Sequence, residues 1–303
     1  MIKLPITAHR PLTLLIWIWG LLCYAPLSAA IQVTDDLGNT LVLEQPAQRI
    51  IALTPHATEL LFAAGLGERV VGVPSYSDYP EAAQAIPRIG GYNAVDLERI
   101  LALRPDLVVG WHSGNNPRIL QQLRDLGLTV YSTEPTHIGH IAHTLEQLGR
   151  LGGTEAIAQT EAARFRTTLA ELEHRYRHQP PVTVFYQVWH QPLITVGNSD
   201  LIHQVIELCG GRNIFAALDT ANPRISEEAV LQADPQAIVA SGMGTPRPEW
   251  LDNWRRWPQL QAVARQHLFF ILPDIIQRPT PRLLDGASQL CEALQRVREA
   301  QIP

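Results

Sequence analysis

A twelve-residue pattern occurs twice, 130 positions apart. Residues 98–109 read ERILALRPDLVV and residues 228–239 read EAVLQADPQAIV, so both fit E-x-[IV]-L-x-x-x-P-x-x-[IV]-V. An acid suits the first turn of a helix, a proline ends it, and the apolar run that follows suits a strand buried on both faces. Two copies of one helix–turn–strand unit constrain the chain to two similar α/β halves. Halves of that kind leave a groove between them, a natural place for a ligand.

Between the copies lies one long helical pattern, Thr154 to His178. Ala158, Ala162, Phe165, Leu169, Leu172 and Tyr176 recur at spacings of three and four. Thr154 is placed as the N-cap after Gly152 and Gly153, and Pro180-Pro181 stops the helix. Some 25 residues at 1.5 Å each span about 37 Å, enough for a stiff strut between two lobes. A core helix of one larger domain has the same periodicity. The expected fold is therefore α/β, with two Rossmann-like lobes, 31–153 and 180–303, joined by a helix over 154–179.

Each lobe shows the expected rhythm. Strands are predicted at Arg49–Leu53, Val70–Val73, Asp106–Trp111 and Thr129–Thr133, with helices at Ala57–Ala64, Asp96–Arg104 and Pro117–Leu126. The second lobe repeats this with strands at Val182–Val188, Ala237–Ala240 and Leu268–Leu272. Its helices are predicted at Asp200–Leu208, Glu227–Gln232, Glu249–Arg256 and Arg282–Arg298. Ile31–Asp35 and Thr40–Glu44 flank Leu37-Gly38-Asn39 as a small hairpin.

Residues 1–30 read as a secretory signal peptide. Lys3 and Arg10 precede the apolar run Leu14–Ala25, which at 12 residues is too short to span a bilayer, and Ser28-Ala29-Ala30 suits cleavage after Ala30. The net charge of −5 becomes −7 without this segment, with 22 basic against 29 acidic residues, which argues against a nucleic-acid partner. Two cysteines remain, Cys209 and Cys291, and an even pair in an exported protein reads as a disulfide.

No Walker, zinc-protease or nucleophile-elbow motif is present, and no nucleophile–base set is visible. On a helix His137 and His143 would lie about 120° apart, which suits a solvated face rather than a metal site. No resident metal or cofactor is expected. What stands out is the loops that follow strands, where ligands of parallel sheets bind. Ser75-Tyr76-Ser77-Asp78-Tyr79 follows one strand and Trp111-His112-Ser113-Gly114-Asn115 ends another. Gly90-Gly91-Tyr92-Asn93 precedes the Glu98 helix, and Trp189-His190 holds the equivalent place in the second lobe.

From TPHATELLFAAGLGERVVGVPSYSDYP through DLERI and PDLVV, and again at ELCGGRNIF and PDIIQRPTPRLLDGASQLCEAL, the chain resembles the periplasmic cobalamin-binding proteins of vitamin importers. The opening IQVTDDLGNTLVLEQPAQRII is similar to the wider iron-siderophore, haem and corrinoid group. The resemblance implies the class III periplasmic binding protein fold, no enzymatic activity, and delivery of a captured corrinoid to an ABC transporter permease dimer by a monomeric carrier. It implies ligand contacts at Tyr76, Tyr92 and Trp111, polar contacts at Asp274 and Arg278, permease docking by Glu98 and Glu228, and a Cys209–Cys291 disulfide. Backbone and polar loop groups near Ser75, Asn93, Ser113 and Asn115 are expected to pair the corrin amides. His112 and His190 stand where an imidazole either donates a hydrogen bond or reaches cobalt. Three positions depart from the pattern: Asn222 replaces a Trp, Ile275 replaces an aromatic, and Trp189 replaces a small residue. A haem or siderophore carrier of the same fold, and an exported corrinoid-modifying enzyme, remain as other readings.

Overall fold

The computed structural model describes residues 30–91, 94–242 and 247–300, so the signal segment, Tyr92 and Asn93 lie outside the described residues. It opens on an antiparallel hairpin, β1 (Ile31–Thr34) with β2 (Thr40–Leu43). The Asp35 carboxylate turns the chain by accepting the Leu37 and Asn39 N–H groups, with Gly38 at φ 83.

The first α/β series runs β3 (Ile50–Ala52), α1 (Pro55–Ala63), β4 (Val70–Gly72), a two-residue pair β5 (Gly90–Gly91) and β6 (Ala94–Val95), α2 (Leu97–Ala102), β7 (Leu107–Trp111), α3 (Pro117–Asp125), β8 (Val130–Thr133) and α4 (His140–Gly152). Local chemistry sets the helix starts. Thr54, Asp96 and Asn116 cap α1, α2 and α3 through their side-chain oxygens, and proline occupies the first turn of α1 and α3. The second series follows α5 (Glu155–Tyr176). It runs β9 (Val182–Gln187), a short hairpin of β10 (Trp189–His190) with β11 (Leu193–Ile194), α6 (Leu201–Leu208), β12 (Gly211–Asn213), α7 (Glu227–Ala233), β13 (Ala237–Ala240), a 3-10 turn at Glu249–Arg256, α8 (Gln261–Ala264), β14 (Leu268–Phe270), α9 (Pro273–Ile276) and α10 (Leu283–Glu299).

The two main sheets are parallel and share one topology. Their orders are β4-β3-β7-β8 and β12-β9-β13-β14, so in each the first strand is flanked by the second and the third. The sequence repeat persists at the level of single dihedrals. Asp96 and Ser226 both cap their helices, Glu98 and Glu228 both occupy the second helical position, and Arg104 (φ 46) and Asp234 (φ 42) both turn left-handed before the proline.

The long helix differs from the free strut in the sequence reading. It spans 22 residues, about 33 Å, and buries Ala158, Ala162, Phe165, Leu172 and Tyr176. It packs on α1 and α4 in one lobe and on α6 and α10 in the other. One apolar cluster therefore runs from Ile50 and Leu107 through Ala158 and Phe165 to Val184 and Val297, while each sheet has its own smaller cluster on the far face. Gly149 lets α4 approach this closely, since a Cβ there would lie 2.4 Å from the Ala158 Cβ. Thr154 does not cap α5 with its side chain. Its hydroxyl donates instead to the Ala64 carbonyl at 2.6 Å, tying the helix start to the end of α1. Glu249–Arg256 is 3-10 rather than α-helical, and α4, α9 and β12 had not been read from the sequence. Cys209 at the end of α6 is disulfide-bonded to Cys291 in α10.

Candidate ligand-binding cleft

In each sheet the order in which strands are added reverses between the first strand and the third, and ligands of parallel sheets bind beyond the carboxyl ends at such a point. In the first lobe that point lies between β3 and β7. Thr54, the N-cap of α1, places His56 at the second position of the helix, and Trp111 closes β7. His56 is buried, with Nε2 3.4 Å from Thr54 Oγ1 and 3.3 Å from Thr133 Oγ1. Burial, assisted by the positive charge of Arg278, pushes its pKa down to about 3. The imidazole is thus a neutral support, edge-on to Trp111 with ring centroids 5.2 Å apart.

Tyr76 is displayed by a loop anchored from beneath. Ser77 is buried and accepts from the Thr58 hydroxyl at 3.0 Å. Arg88 donates to the Pro74 and Ser77 carbonyls, and Ser75 is held by the Gly90 carbonyl. The result is a left-handed Tyr76 (φ 66) whose side chain is turned out to solvent, the residue being 74% exposed. Non-glycine residues in that region cost of order 1–3 kcal/mol, and such strain clusters at ligand sites.

The second lobe has its crevice between β9 and β13. Past β9, Trp189 and His190 lie with ring centroids 5.0 Å apart, and His190 stacks flat on Trp250 at 5.5 Å. Trp250 sits over the end of β13, its Cζ2 3.2 Å from where a Gly242 Cβ would be. Beneath them Gln187 accepts the indole N–H of Trp254 at 2.7 Å. The segment after α9 closes the edge. Gln277 donates to the Ser241 hydroxyl, and Arg278 reaches across to the first lobe.

Arg278 is where the crevices meet. Its guanidinium pairs with Asp274 at 2.8 Å in its own lobe, then with Glu59 of α1 at 2.9 Å and Asp78 at 3.5 Å, and donates to the Tyr76 carbonyl at 3.4 Å. Arg282 adds a second contact to Glu59 at 3.4 Å and lies over the Tyr79 ring at 3.8 Å. Burial pushes the Glu59 carboxyl up while the two guanidiniums pull it down. His56 thus joins Trp111 by ring contact, and Arg278 joins Tyr76, Glu59 and Asp78 of the first lobe to Asp274 of the second.

Several sequence-read residues have other duties. Asp274 pairs with Arg278, and Arg278 also with the first lobe. Asn115 is buried and structural: it accepts the Trp111 N–H and donates to the Leu53 carbonyl. Ser113 has its N–H on Glu134. His112 is exposed beside Trp111, and Glu98 and Glu228 are both exposed. His137, His140 and His143 are solvent-facing, and among the described residues no group of three His, Cys, Asp or Glu gathers as a metal site. Glu59, Trp250 and Arg282 were missed. Trp250 lies in a polar stretch, EWLDNWRR, whose turn toward β13 has no local signature; Glu59 reads as an ordinary helix acid until Arg278 arrives from over 200 residues away.

Residues 50–275 match the periplasmic binding protein family. The chain is 39% identical over 251 residues to the vitamin B12-binding protein of Vibrio cholerae serotype O1, covering 82% of this chain and 90% of that protein. With the vitamin B12-binding protein of Yersinia pestis the identity is 38% over 253 residues, covering 84% and 88%. The crystal structure of the periplasmic vitamin B12 binding protein BtuF of Vibrio cholerae matches with a TM-score of 0.77 at 38% identity, covering 84% of this chain and 98% of that one. The periplasmic heme-binding protein RhuT from Roseiflexus shares the fold, with a TM-score of 0.73 at 23% identity over 83% of this chain and 99% of that one. With two like-ordered parallel sheets, one linking helix and a cleft between their carboxyl edges, the chain belongs to the periplasmic binding protein family.

Proposed function

We infer that this protein captures cobalamin or a related corrinoid between its lobes, 31–153 and 180–303, and hands it to an ABC transporter. The observation that carries this reading is the 39% identity, across 90% of its length, with a protein named for vitamin B12 binding. The cleft supports it. A corrin is broad, partly apolar and fringed with amides, and Tyr76, Trp111, Trp189 and Trp250 offer apolar ring surface at about 25 cal/mol per Å² buried. No step of bond-making to the corrin periphery is needed; the ligand leaves as it arrived.

The carrier works in the periplasm as a monomer, after cleavage of the signal peptide at Ala30. Glu98 and Glu228 would dock on a permease dimer. They hold equivalent, exposed positions in the repeated unit, and two like acids on two like lobes suit two like basic sites. Titration of the purified protein with cobalamin, cobinamide and haem, followed by calorimetry, tests the reading. Saturable binding of a corrinoid is expected; tight haem binding with neither corrinoid bound would overturn it.

A further inference from the structure

Each sheet sets an imidazole against an indole at its point of reversal, but the two pairs are built differently. In the first lobe both aspects of His56 are accounted for: Nε2 meets two threonine hydroxyls and the ring supports Trp111. In the second lobe His190 is clamped by ring contacts alone, flat against Trp250 and tilted against Trp189. Neither nitrogen of His190 hydrogen-bonds to any described residue. Nδ1 is buried without a partner, while the side chain as a whole is only half-buried, which leaves Nε2 as the solvent-accessible nitrogen.

An imidazole fixed in place with both nitrogens unused is not explained by packing, for which an apolar ring would serve better. His112 provides the contrast. It is exposed, so water satisfies it, and no ring contact holds it among the described residues. His190 is held before any ligand arrives, so little rotamer freedom is lost on binding. Its accessible nitrogen is of the kind that ligates transition metals.

We propose that His190 Nε2 is an axial ligand to the cobalt of corrinoids whose lower position is occupied by water instead of a tethered base. The inference rests on the corrinoid reading above and narrows its ligand class to incomplete corrinoids such as cobinamide and to base-off forms. The step is ligand exchange. The Co–OH2 bond breaks, water leaves to solvent, and the Nε2 lone pair forms a Co–N bond while the ring proton rests on Nδ1. Cobalt keeps its oxidation state, and no co-reactant is required.

Absorbance of diaquocobinamide during titration with the purified wild-type protein tests this. The expected result is a shift of the corrin bands to those that free imidazole produces with diaquocobinamide, saturating with binding. His190→Gln should bind without that shift and recover it when free imidazole is added, and His112→Gln should retain it. Cobinamide bound by calorimetry with the aquo spectrum unchanged would overturn the role of His190 and leave the corrinoid reading standing. So would a shift that survives in His190→Gln and vanishes in His112→Gln. Absence of saturable binding by both cobinamide and cobalamin would bring down the functional reading and this inference with it. If the His190→Gln variant fails to fold, an unshifted wild-type spectrum with cobinamide bound still overturns the proposal, and loss or retention of the shift in His112→Gln still tells the two imidazoles apart.

Discussion

Arg278 is the residue through which the two lobes hold each other at the cleft. Its Glu59 partner is almost wholly enclosed, with side-chain exposures of 15% for the arginine and 2% for the glutamate. Removing one member of such a pair leaves a charge without water or a counter-ion, which typically costs 3–5 kcal/mol. Arg282 remains in reach of the same oxygen. Arg278→Ala is therefore expected to lose about 3 kcal/mol in urea denaturation, and Glu59→Gln with Arg278→Met should recover part of it. His56 supplies a second test. Its folded pKa lies below its unfolded value of 6.5, so its stabilising effect is complete above 6.5 and is lost as pH falls toward about 3. The stability difference between wild type and His56→Gln should thus shrink by about 1.4 kcal/mol per pH unit below 6.5. Taking the difference removes Glu59 and Asp200, whose raised pKa values act in the opposite sense. The sequence exposed Tyr76, Trp111, Trp189 and His190 because each follows a recognisable strand. It could not expose the Arg278–Glu59 pair, because neither residue has a local feature that distinguishes it from a solvated charge.

Elements carry the next layer. α6 and α10 are joined by Cys209–Cys291 across 82 residues, and Arg298 of α10 donates to the Cys209 and Gly210 carbonyls at the end of α6. A cross-link closing a loop of that length is worth about 4.5 kcal/mol through the entropy of the unfolded state. Cys209→Ser with Cys291→Ser should lower the denaturation midpoint accordingly, leaving corrinoid affinity intact because both cysteines are wholly buried and neither side chain is free to meet a ligand. The periodicity of α5 was plain in the sequence, down to the residues it buries. Its role was not, since a strut and a core helix have the same apolar spacing and differ only in what covers them. β12 went unread because Gly211–Asn213 has no apolar run; it exists by pairing with Val182–Val184. α4 ends in Gly149-Arg-Leu-Gly152, a poor helix by propensity, and Gly149 is kept for the close contact with α5.

At the scale of the whole molecule, Glu98 and Glu228 are matched in helix position, cap and exposure, one per lobe. Hydrogen bonds from its own backbone N–H and from Ser226 hold the Glu228 carboxyl below the usual range, so it stays ionised. Glu98→Lys with Glu228→Lys is expected to leave corrinoid binding unchanged in calorimetry while abolishing uptake in cells that depend on this carrier. Unchanged uptake would reduce the pair to helix-start chemistry. The sequence by itself determined the plan of the molecule: a repeated helix–proline–strand unit and one long amphipathic helix are local patterns, and they set two like α/β halves and most of their elements, while β12 and α9 depend on their neighbours. What only the tertiary structure decided is which side chains meet across the cleft. Arg278 became a bridge between the lobes, Asn115 a buried brace, and His190 an imidazole in contact with two indoles. Those outcomes depend on contacts between segments scores of residues apart, where burial and pairing set the chemistry and residue type alone does not.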